Sequence, residues 1–200
     1  MLSKVVNENM MITWEDYQKE KCVPVEDDLL DFKFNNRDLL IRALTRSAFF
    51  NQAGYLTEHK DNGNQIGLDT IGDTVLDFAI FSHFIKPILT EQEKEKKKSR
   101  KIIDGYRKWY GMNDVVQEFS KECINLQKYV IWGPDEETRK IWEQKTTKKL
   151  ADCFEALIGA VYIDHGIEGV EKMLKKINYY SSVNKIRLKQ GKNKTDFHIP

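Results

Sequence analysis

Two segments of the chain each place a pair of acidic residues inside an otherwise apolar helical pattern. The first segment carries Asp69 and Asp73, and the second carries Asp152 and Glu155. Because residues three or four positions apart lie on the same face of a helix, each pair can direct two carboxylates to one place. Burying an uncompensated carboxylate is costly, so the pattern predicts two buried helices whose four acids converge on a divalent cation.

The donor set favours magnesium over softer metals. Magnesium prefers oxygen ligands and keeps several waters, so a few carboxylates and a substrate phosphate suit it, and manganese is expected to substitute. Such ions activate water and stabilise the leaving oxygen in phosphodiester hydrolysis. One acidic pair alone is more often a solvated helix face. Two pairs in the same apolar context favour the metal site.

The cysteines and the hydropathy pattern exclude several protein classes. Cys22, Cys123 and Cys153 are widely spaced and form no C-x-x-C pair, which argues against a disulfide framework and a structural zinc site. The sequence opens with no signal-peptide pattern and contains no apolar run of membrane-spanning length. These features predict a soluble protein of the cytoplasm.

Charge is distributed unevenly along the 200 residues. Residues 1–90 carry a net charge of −5 and residues 91–200 a net charge of +6, although the whole chain is at +1. Basic surfaces attract polyanions such as nucleic acids. Polyanion binding is therefore expected mainly in the second half.

Helical periodicity dominates, and strand-like alternation is too sparse for a sheet, so the predicted fold is all-α. The central helix is predicted to run from about Ile66 towards Phe84 or Ile85, with Pro87 marking its end. Asn113 is predicted to cap a later helix, and a further helix is expected to end near Gly166.

The chain divides into three predicted parts. Residues 1–24 are expected to form an N-terminal extension, residues 25–180 one helical domain, and residues 181–200 a basic, flexible tail. Within the domain, Asn35 or Asn36 is predicted to cap the helix that follows. A chain of this length is long enough to bury a substantial core.

Four stretches of the sequence are similar to the ribonuclease III family. Residues 64–77, NQIGLDTIGDTVLD, resemble the family signature N-E-R-L-E-F-L-G-D-A-V-L-D, and residues 148–166 resemble its second block, A-D-x-x-E-A-x-x-G-A-x-Y-x-D. Residues 39–52 and 129–137 are similar to the stretches that precede these blocks. The resemblance implies a ribonuclease III-like helical endonuclease domain.

In that family, acids at these positions bind the catalytic metal. The resemblance implies that Asp69, Asp73, Asp152 and Glu155 are metal ligands and that Asp73 and Glu155 are catalytic. It further implies an enzyme of RNA processing that acts as a homodimer and cleaves double-stranded RNA to 5′-phosphate and 3′-hydroxyl ends. Asp77, one turn beyond Asp73, is a candidate supporting residue.

The signature departs from the family pattern at three positions. Asp69 stands where the family has Glu, Ile66 where it has its first signature Glu, and Thr70 where it has an aromatic residue. The shorter Asp69 side chain affects how the metal is held. In the family this helix lies in the dimer interface, so part of the contact is expected to differ here.

Duplex RNA is recognised mainly through its shape, phosphates and 2′-hydroxyls, which requires distributed cations. The candidate RNA-binding residues are Lys97, Arg100, Lys101, Lys148, Lys149, Arg187 and Lys189. About 20 residues follow the last predicted helix, too few for the double-stranded-RNA-binding domain of most bacterial relatives. The chain is therefore expected to bind RNA through this domain and tail, to use an accessory partner, or to prefer compact structured substrates.

Two other functions fit the same residues. A non-catalytic RNA-binding protein on the ribonuclease III fold would keep the helices without the cleavage. A helical bundle that binds a metal only for stability would keep the acids without the RNA. The retained acids at Asp73, Asp152 and Glu155 favour the nuclease.

Overall fold

The fold is described from a computed structural model. It covers residues 18–52, 65, 67–91, 96–144, 146–197 and 199. Ile66, most of the predicted N-terminal extension and the side chain of Lys97 lie outside the described residues.

Helices account for most of the described chain. In chain order they are α1 (Val23–Asp28), α2 (Arg37–Leu44), α3 (Ser47–Gln52), α4 (Leu68–Glu91), α5 (Lys96–Gly111), α6 (Asn113–Glu122), α7 (Pro134–Thr138), α8 (Lys149–Lys176) and α9 (Tyr179–Lys189). Extended pairing in these ranges is limited to one isolated bridge between Thr45 and Ile131. None of the helices described is long and apolar enough to span a membrane.

The two longest helices, α4 and α8, cross in the middle of the molecule with their backbones in contact. A Cβ atom added at Gly72 would lie 1.7 Å from the carbonyl oxygen of Glu155, and one at Gly159 would lie 2.1 Å from that of Leu68. Side chains at these two positions would force the helices apart. The crossing therefore requires glycine, and it falls beside the acidic pairs.

The core surrounds this crossing. Helices α2 and α6 pack on α8, and α5 packs on α4. The largest buried side chains include Trp109, Tyr110, Phe119, Phe154 and Tyr179. Burial of such aromatic surface is the main favourable contribution to a fold of this kind.

Several predicted boundaries are confirmed and others are wrong. The Asn36 side chain caps α2 by accepting a hydrogen bond from the Asp38 backbone N–H at 3.1 Å. Gly166 interrupts α8 with a φ of 65°, as predicted. The residue that precedes α6 is Met112, so Asn113 is its first helical residue and not its cap. Pro87 does not end α4, which continues to Glu91.

The prediction of a flexible tail is wrong. Residues 179–189 form helix α9, which buries Val183 and Ile186. Further on, Phe197 packs edge-to-face on Trp109 with ring centroids 5.1 Å apart. This segment closes the core against α5. Its high density of basic residues concealed an apolar face at helical spacing.

Candidate active site

The crossing of α4 and α8 brings the two predicted acidic pairs together. Asp69 and Asp73 lie one turn apart on α4, and Asp152 and Glu155 lie three positions apart on α8, where Glu155 is close enough to feel the charges of the other three acids. The contact of Gly72 with the Glu155 backbone sets the separation of the two helices at this point. Three of the four carboxylates remain half-buried or more accessible, while Glu155 is buried.

Glu155 lies at the centre of the site. Its side chain belongs to a residue that is only 6% exposed, and its buried Oε1 atom has no hydrogen-bond partner among the described residues. Burial, and after it the charges of Asp73, Asp152 and Asp69 in that order, raise the pKa of this carboxyl from 4.5 to about 8. A buried carboxylate without donors is costly unless a cation or proton compensates it.

Two of the neighbouring acids, Asp69 and Asp152, contact other groups. Asp69 Oδ1 accepts a hydrogen bond from the backbone N–H of Thr70 at 2.8 Å. Asp152 Oδ2 lies 3.8 Å from Nη1 of Arg46. Burial raises the pKa of the Asp152 carboxyl, while Arg46 opposes this shift. Within the described part of the chain, no three acidic, histidine or cysteine side chains converge into a ready-made metal cage.

A buried network around Arg46 supports Asp152. Arg46 Nη1 donates to Gln65 Oε1 at 3.0 Å, and Nη2 lies 3.5 Å from Glu136 Oε1. Gln65 in turn donates to the Ala43 carbonyl at 2.6 Å. The network ties α2, α7 and the start of α4 to the acid on α8. Sequence analysis missed these roles, although Arg46 lies within the family-like stretch 39–52.

A second ion pair continues the acidic row of α4. Asp77, one turn beyond Asp73, accepts from Arg107 Nε at 2.6 Å. Burial raises the pKa of the Asp77 carboxyl, Arg107 opposes this, and Asp73 adds to the rise. Asp77 therefore has a close cationic partner, whereas Glu155 has none among the residues that the structure describes.

The predicted RNA-binding residues fall into two groups. Arg100, Lys101, Lys148 and Lys189 are exposed, and Lys149 is half-buried. The prediction that Arg187 binds RNA is wrong, because this residue is only 1% exposed.

The Arg187 guanidinium is used inside the protein. Nε donates to the Trp109 carbonyl at 2.9 Å, Nη2 donates to the Lys108 carbonyl at 2.8 Å, and Nη1 pairs with Asp114 at 3.0 Å. It thus satisfies free carbonyls in the last turn of α5. A surface phosphate cannot reach it.

Comparisons with known proteins identify relatives of this domain. Residues 36–180 match the family model described as Ribonuclease-III-like. Ribonuclease 3 of Borreliella afzelii is 34% identical over 137 residues, which cover 68% of this chain and 50% of that protein. Ribonuclease 3 of Listeria innocua is 29% identical over 170 residues, or 84% of this chain and 63% of that protein. The chain spans about half the length of several curated relatives that it matches.

A solved structure shows a similar fold. The nuclease domain of ribonuclease III from Campylobacter jejuni superposes with a TM-score of 0.59 at 23% identity, covering 78% of this chain and 96% of that one. The likeness confirms the predicted all-α architecture.

Proposed function

Because the chain belongs to the ribonuclease-III-like family, we propose that it is a divalent-metal-dependent endoribonuclease. It hydrolyses phosphodiester bonds of double-stranded RNA to 5′-phosphate and 3′-hydroxyl ends in RNA processing in the cytoplasm. The observation that carries this proposal is the buried Glu155 carboxylate, which has an unpartnered oxygen and lies among the acids of both helices.

The residues of the site fit magnesium in their donor chemistry. Asp69, Asp73, Asp152 and Glu155 offer only hard carboxylate oxygens, and the free Oε1 of Glu155 lacks the donor that a purely structural acid would have. These four residues would hold the ion, with manganese as a substitute. When bound, the metal would supply an activated water and stabilise the leaving oxygen.

The protein's own residues prepare this chemistry. Asp73 and Glu155 are the proposed catalytic acids, one from each helix at the glycine crossing. Arg46 limits the movement of Asp152 through the ion pair and its bond to Gln65. Fixing ligands in advance reduces the reorganisation needed when metal and substrate bind.

The proposed homodimer would use the outer face of α4. Thr70 and Thr74 are exposed there, and the neighbouring Ile71 and Phe78 are 38% and 54% exposed. Exposed apolar residues on one helix face are typical of a protein contact. Phe78 and Ile71 would supply the apolar contact that the family obtains from an aromatic residue at the position of Thr70.

Sedimentation of a Phe78→Ser variant tests this contact. We expect it to raise the dimer dissociation constant at least about tenfold, since loss of a buried aromatic anchor costs more than about 1.4 kcal/mol. Met112→Ser is the matched control, because Met112 is 45% exposed on another helix junction. Equal dimerisation of both variants and the parent protein would reject this face.

RNA would bind over exposed cations of the domain. Arg100, Lys101, Lys148, Lys149 and Lys189 are the candidates that the structure leaves at least partly accessible. Lys97 remains a candidate from sequence alone. An accessory RNA-binding partner remains part of the proposal.

The decisive experiment compares an end-labelled RNA duplex with its single strand, in magnesium or in EDTA. We expect cleavage of the duplex only, dependent on magnesium, and lost in Glu155→Gln. Glu168→Gln is the matched control, since Glu168 is an exposed acid on the same helix beyond Gly166. Magnesium-dependent cleavage by Glu155→Gln at the parental rate would contradict the assignment.

A non-catalytic RNA-binding protein is the second candidate. It is favoured by the engagement of two acids with internal partners, namely Asp69 with the Thr70 N–H and Asp152 with Arg46. The same experiment separates the two functions. Duplex binding with no cleavage in any divalent metal would support the second candidate.

A further inference from the structure

The ion pair between Asp77 and Arg107 lies at the end of the acidic row on α4. Asp77 follows Asp73 by one helical turn, so the two carboxylates are neighbours on one helix face. A Cβ atom added at Gly111 would lie 3.1 Å from Asp77 Oδ1, so α5 packs closely against this carboxylate. Asp77 is thereby held between the two helices.

Arg107 pairs with Asp77 through Nε, while most of its side chain is exposed. Its Nε contacts Asp77 Oδ2 at 2.6 Å, and its side chain is 63% exposed. In the described chain no other hydrogen bond or ion pair of this guanidinium is found, so four of its five donors have no protein partner there. Arg187 differs, because its donors are used on backbone carbonyls and Asp114.

The negative charge of the site would be offset by a cationic group beside it. A phosphate chain that approaches Asp69, Asp73, Asp152 and Glu155 meets a concentration of like charge. A cation fixed at the edge of the acids offsets this repulsion and orients the strand. Guanidinium groups bind phosphate oxygens through paired hydrogen bonds, which gives direction as well as attraction.

We propose that Arg107, held in place by Asp77, binds a backbone phosphate of the RNA strand beside the one that is cleaved. This inference rests on the proposed nuclease function. Arg107 is then a substrate-positioning residue that contacts the RNA, and Asp77 acts through it. Phosphate contacts of this kind set the register of the strand without reading its sequence.

The test measures duplex binding and cleavage by Arg107→Gln. In a Glu155→Gln background without divalent metal, we expect about tenfold weaker duplex affinity, as for loss of one charge-assisted contact. The slope of log affinity against log salt should fall by about one. In the catalytically intact protein, KM should rise by about tenfold with kcat nearly unchanged, since the contact exists before and during the reaction.

Two further variants control the interpretation. Lys108→Gln removes a neighbouring exposed cation on the same helix and should leave the salt slope and KM unchanged. Arg107→Lys keeps the charge but not the planar fork and should recover part of the affinity. Equal effects of Arg107→Gln and Lys108→Gln would overturn the inference.

Other outcomes separate this inference from the proposed function. Weaker duplex binding by Arg107→Gln, with no cleavage by the parent protein, would support the Arg107 contact and reject the nuclease. Normal parental cleavage with unchanged KM in Arg107→Gln would do the reverse. A change of sedimentation with unchanged RNA affinity would place Arg107 in a protein interface and overturn the proposal.

Discussion

Glu26 and Glu155 are the same residue type, both buried, with opposite surroundings. Glu26 is 2% exposed, and its Oε1 accepts from the Phe34 N–H at 2.9 Å and from Arg37 Nε at 3.2 Å. Its Oε2 accepts from Arg37 Nη2 at 2.8 Å. Glu155 is 6% exposed, its Oε1 has no partner within the described ranges, and its neighbours are acids.

The difference shows what burial of a charge signifies. A buried carboxylate with donors on both oxygens connects parts of the fold, as Glu26 connects α1 to the start of α2. A buried carboxylate without donors weakens the fold and persists where a ligand supplies the missing charge. The partners of each acid, and not its burial, separate the structural role from the functional one.

The largest expected effect concerns the paired acid. Glu26→Gln should lower the free energy of unfolding by about 2 kcal/mol, because hydrogen bonds to Arg37 and Phe34 lose their charged acceptor. Chemical denaturation in EDTA measures this change. Glu168→Gln, an exposed acid, should change stability by less than about 0.5 kcal/mol. If Glu26→Gln left the free energy of unfolding unchanged, the contrast between the two buried acids would be lost.

Replacement of the unpaired acid, Glu155, should change the free energy of unfolding in the opposite direction. In EDTA at pH 8, Glu155→Gln should raise the free energy of unfolding by about 1 kcal/mol, since it removes a buried charge that faces other acids. The same denaturation experiment provides the readout. A loss of stability comparable to that of Glu26→Gln would show that Glu155 is a structural acid.

The third expected effect is the pH dependence of that gain. Folding raises the pKa of the Glu155 carboxyl from 4.5 to about 8, so the unfolded chain releases this proton first. Stability is therefore lost as the pH rises above about 4.5, and the loss is complete above about 8. The advantage of Glu155→Gln over the parent in EDTA should widen across this range and then level off. An advantage that shrinks with rising pH would contradict the assigned environment.

Local patterns predicted much of the fold and the acids of the site. The helical spacing of the apolar residues around Asp73 and Glu155 predicts that both lie on helices, because this spacing is a property of neighbouring residues. The Asn36 cap was predictable for the same reason. Asn113 was not, because cap residues are common at first helical positions too.

Contacts between segments far apart in the sequence could not be predicted from these local patterns. The basic residues around Arg187 predict an RNA contact, but its role depends on the end of α5, more than 70 positions earlier. The network of Arg46 joins residues from four separate stretches, including Gln65 and Glu136. Such partners follow from packing, which periodicity does not specify.

The central claim, that the unpaired Glu155 marks a metal site, is tested most directly by melting the protein over a magnesium titration. Magnesium that binds only the folded state should raise the Tm of the parent and of Glu168→Gln in a saturable way. We predict no such rise in Glu155→Gln, whose starting Tm in EDTA is already higher. An equal magnesium-dependent rise in Glu155→Gln, or none in the parent, would contradict the account.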